Sequence, residues 1–288
     1  MPSRSVGLVA CIFSLSLLAI ACSSGGRGSS TGIVAIERLR LRSSTAEAAR
    51  IVGELKSGDR VSIIEQSDAE GVQWARVQGP DGSSGWVQMR SLIDQEAFDK
   101  SHLLESELKD IQTQATGRSK ATLKLRLTPD RASEENVLNT LPSATELEIL
   151  RRERNPRPAV ATEAKDGEPA SDQKYDEWYQ VRVKTNDVTP AGWIYGGSIE
   201  LQIPADIIYY PSSGKRIVGW QSLGEAKDEQ GRSGGHFLVL ERAIFGSDQD
   251  ADFDRVKILA YDPAARDYST PFREDIHGRF PIKLNLDG

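Results

Sequence analysis

The chain is short of the residues on which most enzyme sites are built. It has two cysteines, Cys11 and Cys22, and three histidines, His102, His236 and His277. With both thiols close to the N-terminus, none is left further along to act as a thiolate nucleophile. No group of His, Cys or carboxylates has the close, regular spacing of a zinc site. Thirty-six basic residues stand against 42 acidic ones, and no Lys/Arg stripe is interleaved with aromatics, so nucleic acid is not expected as a partner. An apolar run long enough to cross a bilayer, about 20 residues, is also missing. The one long run, Val6 to Ala21, is broken at Gly7, Cys11, Ser14 and Ser16. No cofactor and no metal are expected.

That short run after Arg4 has the form of a signal peptide over residues 1–21. It ends in Leu18-Ala19-Ile20-Ala21-Cys22, which resembles the lipobox of bacterial lipoproteins. The resemblance implies that Cys22 opens the mature chain and carries the lipid, which makes a membrane the first partner. An ordinary secretory leader cut near Ala21, leaving Cys22 as a free thiol, is the alternative. In either case Cys11 leaves with the leader, so the mature chain can form no internal disulfide. Stable anchoring needs more than one acyl chain, which the lipoprotein pathway supplies, and the body stays in water. Residues 22–34 are assigned to a tether, flexible by composition from Ser23 to Ser30. Ser23 in place of aspartate resembles diderm lipoproteins of the outer membrane, which implies a location in the cell envelope facing the periplasm.

The remainder repeats itself. Leu39-Arg40-Leu41-Arg42, Leu55-Lys56-Ser57-Gly58-Asp59-Arg60-Val61, Trp74-Ala75-Arg76-Val77 and Gly85-Trp86-Val87 recur in order and character. The later counterparts are Leu123-Lys124-Leu125-Arg126, Leu141-Pro142-Ser143-Ala144-Thr145-Glu146-Leu147, Trp178-Tyr179-Gln180-Val181 and Gly192-Trp193-Ile194. Apolar and polar residues largely alternate, as in half-buried strands, and turns such as Pro80-Asp81-Gly82 separate them. Each copy therefore reads as a small barrel or sandwich. The first would be filled by Leu41, Val52, Leu55, Val61, Ile63, Trp74, Val77, Trp86 and Leu92. Gly58 suits a tight turn, and the second copy, with Ala144-Thr145 there, is expected to turn more loosely or by another turn type.

These motifs are similar to those of bacterial SH3-like (SH3b) domains, strongly over Ile36 to Ile93 and more weakly over Ala121 to Leu201. The resemblance implies small β-barrels of envelope and secreted proteins, some binding peptidoglycan peptides and others serving as spacers. The expected fold is mainly β: an SH3-like barrel at 35–93, a helical linker at 94–118, and a second barrel at 119–202. The linker helix is read from Asp94 to Ala115, with apolar residues every three or four positions except at Ser101 and with Gly117 as its stop. Residues 155–174, rich in Pro, Ala, Glu and Asp, read as a disordered insert in the second barrel. Residues 203–288 read as an antiparallel β domain. Its strands are placed at Ile207–Tyr210, Arg216–Trp220, His236–Leu240, Arg255–Tyr261 and Pro281–Leu284, with a turn at Tyr261–Ala265.

Candidate chemistry is sparse. Gly231-Arg232-Ser233-Gly234-Gly235 has the spacing of a nucleophile elbow, but a polar loop precedes it and a strand follows, whereas that motif needs a strand and then a helix. Asp248-Gln249-Asp250-Ala251-Asp252-Phe253-Asp254 opens like a calcium loop yet has Phe253 where glycine is required and Leu259 where glutamate is required. Two functions from different classes remain. One is a non-enzymatic, membrane-anchored envelope protein that binds peptidoglycan or scaffolds an envelope protein through its barrels. Its contact residues would come from Trp74, Trp86, Trp178, Trp193 and Tyr195, although most such aromatics build the core. The other is a hydrolase with a site around Ser233, His236, Asp262 and His277.

Overall fold

The computed structural model describes residues 30–46, 48–133, 136–156, 175–184, 188–245 and 251–285. The expected leader, the expected lipid site Cys22, most of the tether and residues 157–174 of the insert lie outside the described residues. Among the described residues the architecture is mainly β, with three antiparallel sheets and one α-helix. That helix is neither long nor apolar enough to cross a membrane.

The first module comprises β1 (Ser30–Val34), β2 (Arg38–Arg42), β3 (Ile51–Lys56), β4 (Arg60–Ala69), β5 (Val72–Gln78), β6 (Ser84–Gln88) and β7 (Leu92–Ile93). Its sheet order is β3-β2-β6-β5-β4-β1-β7. The second module comprises β8 (Ala115–Ser119), β9 (Leu123–Arg126), β10 (Val137–Leu141), β11 (Glu146–Pro156), β12 (Tyr175–Val183), β13 (Ala191–Tyr195) and β14 (Ile199–Leu201). Its order, β10-β9-β13-β12-β11-β8-β14, is the first repeated strand for strand. The register repeats too: Arg42 pairs with Trp86 as Arg126 pairs with Trp193, and Trp74 with Gln88 as Trp178 with Tyr195. Even the bulge at Ile64 in β4 recurs at Leu150 in β11.

Alternation along each strand decides what faces inward. Leu39, Leu41, Leu55, Val61, Ala75, Val77 and Val87 form the first core, with Ile63 and Leu92 at its margin. Three residues expected there are not in it. Val52 is 41% exposed, Trp74 is buried outside this cluster, on the Arg76 side of β5, and Trp86, between inward-facing Gly85 and Val87, points to the outer face of the sheet. Gly85 is required because a Cβ there would lie 2.7 Å from Leu41 Cβ; at Gly192 it would lie 2.6 Å from Leu125 Cγ.

Three boundaries differ from the sequence reading. The tether is shorter than 22–34, because Ser30–Ile33 pair with β4 and Ile33 and Val34 are buried. Helix α1 runs only from Gln95 to Leu108, capped by Asp94, whose side chain accepts from the Ala97 amide at 2.7 Å. Ala115 and Gly117 instead lie in β8, where Gly117 allows the backbone to pass close to Ile199. Asn155 and Pro156 still belong to β11. Ser101, the break in the apolar stripe of α1, is fully buried and donates its hydroxyl to the Ala191 carbonyl at 2.7 Å.

The C-terminal sheet is a meander of β15 (Lys215–Lys227), β16 (Ser233–Ala243), β17 (Arg255–Asp262) and β18 (Asp267–Glu274). The segment Ile207–Tyr210 is a turn, initiated at Pro204, that buries Ile207 completely and leaves Tyr209 87% exposed. Pro281–Leu284 joins no sheet. Its backbone pairs with side-chain amides instead, Ile282 with Gln114 and Leu284 with Gln112. This sheet shares one core with the second module, in which Ile217, Trp220, Phe237, Val239 and Leu259 join Leu147, Ile149 and Val181.

The turns before β4 and β11 are alike despite their different residues. Gly58 has φ 84° and Ala144 has φ 64°, and each amide donates to the end of its module's first strand, Gly58 to the Val34 carbonyl of β1 and Ala144 to the Ser119 carbonyl of β8. The looser second turn expected from the lack of glycine is not found, because these hydrogen bonds hold alanine in the left-handed region. A side chain there costs roughly 1–2 kcal/mol relative to glycine. Ala144→Gly is expected to raise unfolding stability by about 0.5–1 kcal/mol and Gly58→Ala to lower it by about 1 kcal/mol, read as shifts of the urea midpoint.

Candidate functional site

The two modules place their equivalent aromatics differently with respect to solvent. Trp74 and Trp178 are buried, at 5% and 2% exposure. Trp178 meets Tyr195 edge-on at 5.8 Å, and the Arg131 guanidinium lies 5.2 Å from the centre of the Tyr195 ring. Trp193 is buried while its counterpart Trp86 is half-buried. Of the five aromatic candidates, therefore, only Trp86 and Tyr195 present appreciable surface.

Three of the concave spaces border the two modules. One, of about 530 Å³, is a cleft between them. Ala35, Ile36 and Glu37 line one side, and Asn139, Leu141 and Thr145 line the other. Its size is that of a small-ligand site, its walls are mostly apolar, and a single carboxylate and a few hydroxyls supply polarity. Its lining contains neither histidine nor cysteine. Asn139 is held rigidly, donating to Thr189 Oγ1 at 2.8 Å and accepting from the Thr140 amide at 2.7 Å. None of these residues stood out in the sequence, because each lies in a strand of ordinary alternation and the cleft exists only once two modules are juxtaposed.

The other two spaces occupy equivalent ends of the two modules. In the first, Gln66, Asp68, Gln73, Trp74 and Met89 surround about 210 Å³. In the second, Glu177, Tyr179, Tyr195 and Gly196 are joined by Arg216 and Ile217 of the C-terminal sheet around about 340 Å³. Beneath this second mouth lies a buried charge network. Arg152, 3% exposed, pairs with Glu177 and, at 2.7 Å, with Asp252; Tyr179 donates its hydroxyl to Glu177 at 2.8 Å. Burial alone would push the Glu177 pKa up, but the hydrogen bond and charge of Arg152 and the Tyr179 hydroxyl outweigh it and hold it below the usual carboxylate range. Burial and the neighbouring Arg152 and Arg154 lower the Arg242 pKa to about 10. The signal for this network was the run Arg151-Arg152-Glu153-Arg154 inside a strand, a pattern that a solvent-facing edge would also show.

The residues proposed for a hydrolase do not converge. His236 Nδ1 accepts from the Tyr261 amide at 3.1 Å at one end of β17. His277 stands beside Gly278, which bridges to Phe253 at the opposite end. Asp262 caps its turn by accepting from the Ala264 amide at 2.9 Å, and Ser233 is exposed at the start of β16. In the acidic run, Asp248 and Asp250 lie outside the described residues. Asp252 and Asp254 are committed to Arg152 and Lys215. Among the described residues no three metal-ligating side chains come together.

Residues 37–93 match the bacterial SH3 domain family. No curated protein matches the chain. Among solved structures, NlpC2 of Trichomonas vaginalis is similar at 12% identity, over 65% of this chain and 51% of that one, with a TM-score of 0.19. NlpC1 of the same organism gives 15% identity, 70% and 54% coverage and the same TM-score. A Listeria monocytogenes protein described as an autolysin gives 9% identity, 86% and 94% coverage, again with a TM-score of 0.19. The chain thus spans about half the length of the two NlpC proteins.

The network makes a pH prediction. Because the folded pKa of Glu177 lies below its ordinary 4.5, its contribution to stability is complete above that value and is lost as pH falls through the folded value. Urea midpoints should therefore drop more steeply below pH 4.5 in the wild type than in Glu177→Gln. Arg152→Met strands two buried carboxylates and should cost about 3–5 kcal/mol at pH 7.

Proposed function

We propose that the chain is an exported, lipid-anchored envelope protein without catalytic activity, whose modules bind peptidoglycan or hold an envelope partner close to the wall. The observation that carries this reading is the bacterial SH3 match over residues 37–93 together with the repetition of that strand order and register in the second module. On this reading both modules are SH3b domains, and the ligand site is the cleft between them, where apolar walls and the Glu37 carboxylate suit a short peptide bearing an amino group.

The lipobox-like sequence supports an anchor at Cys22. Seven residues, 23–29, separate Cys22 from β1, so the first module starts at most roughly 30 Å from the acylated cysteine. Such a tether restricts the modules to the layer next to the membrane, which suits an envelope ligand that is itself fixed in place.

Residues 23–288, which contain every described strand, should co-sediment with isolated peptidoglycan sacculi. Thr145→Arg, which fills the cleft, should abolish pelleting. Failure of the wild type to pellet would overturn the cell-wall reading and leave the modules as spacers for a protein partner. In a bacterial host the full chain should incorporate labelled palmitate and fractionate with membranes, and Cys22→Ser should do neither. Retention of the Cys22→Ser variant in the membrane fraction would count against the anchor.

A further inference from the structure

Repetition within the chain shows what one face of the module can bind. A row of outward side chains crosses five strands of the first module: Ile51 on β3, Arg42 on β2, Trp86 on β6, Arg76 on β5, and Glu65 with the bulged Ile64 on β4. The corresponding row in the second module is Val137, Arg126, Trp193, Gln180, and Arg151 with the bulged Leu150. The two rows occupy the same place on the same backbone. Their exposure differs except at Glu65 and Arg151, which both face water. Leu150, Gln180, Arg126 and Trp193 are 0%, 5%, 6% and 9% exposed. Ile64 and Ile51 are 54% and 49% exposed, and the Arg76 side chain 50%.

What covers the second row is mainly α1. Leu104 and Leu108, with Ile111 just beyond the helix, pack on Leu150 and Ala191. Ser101 exchanges hydrogen bonds with Ala191, and Arg182 donates to the Leu108 carbonyl at 2.9 Å. Ser133 and Asn136 hold the Arg126 end, accepting from its guanidinium at Ser133 O, 2.7 Å away, and at Asn136 Oδ1, 2.6 Å away. The helix itself is acidic, carrying Glu96, Asp99, Glu105 and Glu107 against Lys100.

The uncovered face of the first module is basic and apolar together. Arg38, Arg40 and Arg42 project outward from β2, with Arg76 on β5, against Glu54 and Glu65, and they flank Trp86, Ile51 and Ile64. We infer that this face is a docking site for an acidic amphipathic helix of a partner protein. That helix would lie across the row as α1 lies across the second module. Leucine-type side chains would seat on Ile64 and Trp86, and carboxylates would meet Arg42 and Arg76. This inference goes beyond the cell-wall reading, which concerns the cleft, and neither depends on the other.

The test uses residues 23–288 and, as probe, a fluorescently labelled peptide with the sequence of residues 94–112. Saturable binding is expected, weakened at least tenfold by Ile64→Glu and by Arg76→Glu in the protein, and lost when Leu104 and Leu108 of the peptide are replaced by Asp. Circular dichroism and sacculus pelleting should be unchanged in both protein variants, which separates loss of docking from loss of fold or of wall binding. The inference is overturned if the peptide does not bind, or if binding is indifferent to Ile64→Glu, which would place the peptide elsewhere. It is also overturned if Ile64→Glu instead abolishes self-association in sedimentation velocity or binding to phosphatidylglycerol vesicles. In those cases the face serves a second copy or a membrane.

Discussion

The structure depends on burial of apolar faces that no single sheet can satisfy alone. The C-terminal meander buries one apolar face, made by Ile217, Trp220, Phe237, Val239 and Leu259, in the core of the second module, and on its other face Leu240, Leu238 and Val256 pack with Phe253 and Phe280. Each such side chain contributes about 1.5–3 kcal/mol when removed from water. The join therefore outweighs the charged contacts at its rim. It also explains why Arg152 can be buried there, since the guanidinium is enclosed only because Glu177 comes from one partner and Asp252 from the other.

Helix α1 performs the same service between the modules. Its first turn rests with Ala97 and Phe98 on Ile33, Ile93 and Val188, and its last turn with Leu104 and Leu108 on Leu150 and Ala191. The intermodule cleft lies between bodies held by this brace, which gives it a defined width. The second module has much of its outer face under α1 and its mouth bordered by the C-terminal sheet, while among the described residues the first module carries neither cover.

Much of the architecture could be read from local chemistry. Alternation in Arg38-Leu39-Arg40-Leu41-Arg42, the Trp-x-x-Val strands and the paired Gly-Trp steps identify the strands and their repetition, because a sheet with one buried face imposes a period of two on its sequence. Where that rule was not enough, the reasons are specific. Trp86 looked like core because it is large and apolar, but parity along β6 turns it outward between Gly85 and Val87. Pro281–Leu284 looked like a strand because it is extended, but side-chain amides of Gln112 and Gln114 take the place of a neighbouring strand. Strand β18 was missed because nearly all of its residues are exposed, so it carries no alternation to detect.

By itself, the sequence determined the period-two patterning, the duplicated module, the scarcity of nucleophiles and metal ligands, and the leader-like N-terminus, since each is a property of residue order or composition. Only the tertiary structure decided which copies of equivalent residues meet water. Ile64 and Leu150 stand at the same bulge with the same apolar character, yet one is half exposed and the other fully buried. The difference lies in α1, which covers the second module and leaves the first open, and burial is set by what lies across a face and not by the strand that forms it.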